Sequence, residues 1–65
     1  MIYAFKAIVY CKKLGKDFGR WAHTTIVANS LEEATTEANA SFNKLCITLE
    51  KNHKEMFLFE DLTLE

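Results

Sequence analysis

Leu45-Cys46-Ile47-Thr48-Leu49 is the segment on which the architecture turns. Two patterns compete across it. Ile47 and Thr48 are β-branched and favour a strand, which Lys51-Asn52-His53-Lys54 would turn back onto the final run of the chain. Yet the same residues continue a helical spacing that starts at Leu31: Leu31, Ala34, Ala38, Phe42, Leu45 and Leu49 recur at intervals of 3, 4, 4, 3 and 4. A helix of roughly 20 residues is about 30 Å long, and a strand of roughly 10 residues about 33 Å. One long helix therefore matches the strands it must cover. The pattern predicts an α+β fold, ββαβ, with the helix on one face of a three-stranded, mainly antiparallel sheet. The alternative, with residues 45–49 as a strand, is ββαββ.

Upstream of this segment, Ser30-Leu31-Glu32-Glu33 fits a capping box. The serine hydroxyl accepts from the third helical N–H and the Glu33 carboxylate reaches back to the Ser30 amide. Glu32, Glu33 and Glu37 complement the positive end of the helix dipole. Lys44 and Lys51 suit the carboxyl end, and Asn52 is placed to close it in the left-handed conformation. Further upstream, both glycines of the chain fall in Leu14-Gly15-Lys16-Asp17-Phe18-Gly19. This turn signal separates two runs rich in aromatic and β-branched residues, Ile2 to Lys13 and Arg20 to Asn29, which read as a hairpin. Downstream, Glu55 to Leu64 reads as the last strand. Strand–helix–strand connections are right-handed and return a parallel strand, so the third strand should lie beside the first, in the order 2-1-3.

With 65 residues the chain is one domain, 1–65. It is 49% hydrophobic and 26% charged, too apolar for a disordered segment. There is no apolar run long enough to span a membrane, and the amino terminus lacks the order of a signal peptide. The expected setting is the cytoplasm. Cys11 and Cys46 sit inside apolar runs, where a free thiol acts as a small hydrophobe.

One helix covers one face of the sheet and leaves the other bare. The first strand nevertheless alternates Tyr3, Phe5, Ala7, Val9 and Cys11 on one side with Ile2, Ala4, Ile8 and Tyr10 on the other. In the last strand Phe57 and Phe59 share one side, Met56, Leu58, Leu62 and Leu64 the other. A large exposed apolar face marks an interface, and a homo-oligomer, most simply a two-fold dimer, is expected. Charge should separate along the molecule. Lys12, Lys13, Lys16, Arg20, Lys51 and Lys54 gather at the hairpin pole, and Glu32, Glu33, Glu37, Glu60, Asp61 and Glu65 at the opposite one.

The net charge of −1 gives no bulk attraction for nucleic acid. There is no nucleophile–base arrangement, no metal-ligand spacing and no phosphate-cradling glycine motif, so neither an enzyme nor a metal or other cofactor is expected. The suggestive cluster is Arg20-Trp21-Ala22-His23-Thr24. Trp21 and His23 share a strand face and offer stacking surface, and Lys12, Lys16 and Arg20 stand close by with positive charge.

The junction Val27-Ala28-Asn29-Ser30-Leu31-Glu32-Glu33-Ala34 resembles that of HicB-type antitoxin domains and of small phage-encoded α/β proteins, including some anti-CRISPR inhibitors. The likeness covers this junction and the general layout. HicB-type domains normally carry a further strand and often a DNA-binding extension, neither of which is evident, and no functional residue carries over. The resemblance implies a counter-defence protein acting on a host partner, in the host cytoplasm.

The leading expectation is a non-enzymatic binding protein that sequesters or inhibits a partner, with the acidic pole of Glu32, Glu33 and Glu37 imitating nucleic acid. A second is an oligomer that traps an anionic nucleotide signal through Lys12, Lys16, Arg20, Trp21 and His23. A third is a structural or assembly oligomer with no ligand.

Overall fold

A computed structural model describes all residues, Met1–Glu65. The chain runs β1 (Ile2–Cys11), a single 3-10 turn (Lys16–Phe18), β2 (Arg20–Val27), α1 (Leu31–His53) and β3 (Phe57–Leu64). The sheet order is β2-β1-β3, with β1 antiparallel to both neighbours. The architecture is thus ββαβ. Residues 45–49 lie inside α1, which excludes the ββαββ alternative. The β-branched Thr48 fits there because its hydroxyl donates to the Lys44 carbonyl one turn back, at 3.0 Å.

Ser30 caps α1 as its sequence position requires, its Oγ accepting from the Glu33 amide at 3.2 Å. The reciprocal limb of the capping box, from the Ser30 amide to the Glu33 carboxylate, is not formed. At the other end the helix runs past Asn52. Lys54, at φ 57°, takes the left-handed position instead, and its amide donates to the Glu50 carbonyl at 2.7 Å.

The core lies between α1 and the helix-facing side of the sheet. Phe5, Ala7, Ala28, Ala34, Ala38 and Phe42 are buried, and four of the six are alanines, which lets the first half of α1 sit close to β1. Phe42 fills the middle against Phe59, with ring centroids 5.6 Å apart. Cys46 is also buried, and its thiol pKa is raised by desolvation. Only seven of 65 residues are buried, so little stability is held in reserve and each core side chain counts.

The last strand departs from simple alternation. Its pairing with β1 slips between Lys6 and Ile8, and Asp61 takes φ 60° at the irregularity. This bulge inserts one residue and reverses the faces beyond it. Leu62 therefore packs on the core, and Leu64 stands opposite Phe5 on the helix side. Both had been expected on the open face.

The charge map also differs from the expected one. Lys12 donates its amide to the Met56 carbonyl at 2.9 Å, which places the end of α1 and the start of β3 at the hairpin pole, and Glu32, Glu33 and Glu37 lie at the opposite end of the helix. Glu60, however, pairs with Ile8 in the middle of the sheet, with Asp61 next to it. These two carboxylates belong to the sheet rather than to the acidic pole.

Candidate functional site

The side of the sheet away from α1 has no layer over it. Its rows follow from the strand registers: Thr25, Ala4 and Glu65; His23, Lys6 and Thr63; Trp21, Ile8 and Glu60; then Tyr10 with Leu58. Ile2 and Val27 extend it at one end, both 73% exposed. An apolar centre of Ile8, Tyr10, Trp21 and Leu58 is thus crossed by ionisable side chains.

Each of those ionisable groups has a partner. The Lys6 ammonium lies 4.5 Å from the centroid of the Trp21 ring, a cation–π contact. His23 Nδ1 meets the Glu65 carboxylate across β1, and since a carboxylate only accepts, that nitrogen is the donor. The Tyr10 hydroxyl donates to Glu60, which raises the tyrosine pKa, with desolvation adding to it. At the border of the face Lys16 Nζ stands 2.6 Å from Asp61 Oδ2, and this bond raises the lysine pKa. Each ionisable side chain of the face is thus engaged by a neighbour around an aromatic and aliphatic centre, and the Lys6 ammonium is the one lysine or arginine charge on the face itself, held over an aromatic ring rather than against a carboxylate.

The five residues expected to gather about an anionic ligand are divided. Trp21 and His23 share the open face. Arg20 pairs with Val9 and so points to the other side of β2. Lys16 is held by Asp61. Lys12 lies past the end of β1 at the hairpin pole, away from Trp21 and His23. Lys6, Glu60 and Glu65 complete the face; Glu60 and Glu65 had been expected at the acidic pole, and Lys6 was not singled out from the sequence. The signal for Lys6 was present: it is the one charged residue at the even positions of a strand otherwise apolar there.

Two further surfaces stand out. Glu32, Glu33 and Glu37, with Ser30 and Thr36, line a shallow, open depression of about 330 Å³ at the start of α1. The second is an apolar groove of about 360 Å³ between the hairpin loop and the last turns of α1, lined by Leu14, Phe18, Leu45, Leu49 and Phe57 with Arg20 as its one charge. Phe18 is 75% exposed there. No three His, Cys, Asp or Glu side chains converge, and no helix is long and apolar enough to cross a membrane.

No family model matches the chain, and neither a curated protein nor a solved structure is significantly similar to it.

Proposed function

We propose that this chain is a non-enzymatic binding protein that sequesters or inhibits a protein partner, and that the open face of the sheet is the surface it uses. The observation that carries this reading is the uncovered centre of Ile8, Tyr10, Trp21 and Leu58, with Trp21 47% exposed. Tryptophan and tyrosine are the residues that dominate protein interfaces, because they bury large area at little cost in side-chain entropy. The surrounding ion pairs give such a surface a polar rim.

The same pairing argues for protein over nucleic acid or a free nucleotide. Glu60 and Glu65 project carboxylates onto the face, where they oppose a phosphate backbone. Capture of a nucleotide signal keeps one observation in its favour, the half-exposed Trp21 ring beside the Lys6 ammonium, but it lacks Arg20, which faces the other way. The acidic residues Glu32, Glu33 and Glu37 already serve the helix dipole and are the second surface to test. The likeness of the strand-to-helix junction to small phage inhibitors suggests a host defence protein as the partner class.

Affinity capture with the wild-type chain and two variants tests this. Trp21→Ser with Leu58→Ser should abolish capture, whereas Glu32→Lys with Glu33→Lys and Glu37→Lys should leave it intact. The opposite pattern would move the binding surface to the acidic pole. A thermal shift of several degrees with any nucleotide, by mass action, would instead favour the signal-trapping alternative.

A further inference from the structure

We infer that the free edge of β2 is where a second copy of this chain pairs, forming a two-fold dimer with a continuous six-stranded sheet. Self-association then runs through a strand edge rather than through the open face, and that face stays available. The inference does not depend on the docking role proposed above.

The hydrogen-bonding parity of β2 follows from its first pair. The Met1 amine donates to the Ala28 carbonyl at 3.2 Å and the Ala28 amide donates to the Met1 carbonyl at 3.0 Å, so Met1 and Ala28 are a hydrogen-bonded pair. Counting along the register, Ile26, Thr24, Ala22 and Arg20 also turn their backbone groups toward β1. Trp21, His23, Thr25 and Val27 turn theirs outward. Each carries one N–H and one C=O, so eight backbone groups form an unpartnered row on a strand with no proline and no bulge.

Antiparallel pairing of this strand with its own copy satisfies all of them in one register only. With the two-fold axis at Thr24, Trp21 meets Val27 of the partner subunit and His23 meets Thr25 of the partner subunit, and the same two pairs repeat by symmetry. Centring the axis on His23 would leave Val27 unpaired and set two imidazoles opposite each other. Centring it on Thr25 would leave Trp21 unpaired. The Thr24 register sets no like charges opposite one another, since Arg20 falls opposite Ala28. It also forms an aromatic–β-branched pair on the open face and a threonine–threonine pair on the helix face, both favourable across strands.

The opposite edge of the sheet is protected. β3 carries the Asp61 bulge and two adjacent carboxylates, Glu60 and Asp61, which are devices that discourage edge pairing. With one open edge and one blunted edge, assembly closes at two copies and does not continue as a filament.

Light scattering on the full chain from micromolar to millimolar concentration should give twice the 7.5 kDa chain mass at the upper end. Thr25→Pro removes an outward N–H and leaves every bond to β1, so it should return the single-chain mass with an unchanged circular dichroism spectrum. Amide exchange on the wild type decides the matter should that variant misfold. The amides of Trp21, His23, Thr25 and Val27 should exchange slowly in concentrated solution and rapidly on dilution, while those of Ala22, Thr24 and Ile26 stay protected in both. A single-chain mass at millimolar concentration, a dimeric and folded Thr25→Pro, or a dimer whose four outward amides exchange rapidly would each overturn the inference.

Discussion

Lys16 and Asp61 form an ion pair at 2.6 Å that ties the hairpin loop to the bulge of β3. Two departures from simple strand geometry, a 3-10 turn and a left-handed residue, are thereby held together beside the Tyr10–Glu60 bond. A loop that looks like a reservoir of positive charge in the sequence has its central lysine already engaged.

This cluster sets an alkaline limit on stability. The Tyr10 pKa is raised chiefly by its bond to Glu60, and the Lys16 pKa chiefly by its bond to Asp61. A raised pKa in the folded state contributes stability that is complete below the unfolded value and is lost as pH rises through the folded one. The ordinary values lie near 10 for tyrosine and about 10.4 for lysine. The Tm should therefore not depend on these two groups between pH 7 and about 9, and should fall above about 10. Tyr10→Phe and Asp61→Asn should each make that fall shallower, as a pH series of thermal melts would record.

Phe42 is the most consequential core position. It is 2% exposed and stacks on Phe59. Phe42→Ala should cost about 3–5 kcal/mol. A domain this small holds only about 5–15 kcal/mol in total and sits near the lower end, so the variant should be largely unfolded at 37 °C, as near-ultraviolet circular dichroism would report.

Gly19 is required for space rather than for backbone freedom, since its φ is −75°. A Cβ there would stand 2.7 Å from Ile8 Cγ2 and 3.0 Å from both Tyr10 Cβ and the Lys16 carbonyl oxygen. Gly19→Ala should destabilise by about 1–3 kcal/mol through overpacking. Gly15 is the converse: its surroundings are open, but its φ is 91°, so Gly15→Ala is strained by conformation, costing about 1–2 kcal/mol. Urea denaturation of the two variants should show both penalties, and relieving mutation at Ile8 (Ile8→Ala) should rescue only Gly19→Ala.

Cys46 should resist alkylation in the native protein, because it is buried and its raised pKa lowers the thiolate fraction. Cys11, only half-buried, should react first. Mass spectrometry after a timed exposure to iodoacetamide separates the two sites.

The order of elements was legible because the chain declares it locally. The glycine-bearing loop, the Ser30 cap and the unbroken spacing from Leu31 to Leu49 each specify one feature, and together they leave a single right-handed topology. The site was less legible. A strand's side chains alternate, so Arg20 and Trp21 face opposite ways, although adjacency in sequence suggests one cluster. The bulge at Asp61 has no glycine to announce it, and it decides that Leu62 joins the core and that Leu64 turns to the helix side. The pairs Lys6–Trp21 and His23–Glu65 depend on register between strands, the second of them between strands distant in the chain, which spacing within one strand does not encode.

Trp21 is the one tryptophan of the chain and stands on the open face beside Ile8 of the central strand, so it reports on that face directly. Fluorotryptophan incorporated at this position gives a single fluorine NMR signal. On addition of the protein recovered by affinity capture, that signal should shift and broaden as the ring is buried, and Leu58→Ser should abolish the change. A resonance that stays where it was while the complex forms would place the partner on another surface and contradict the docking role assigned to the uncovered sheet.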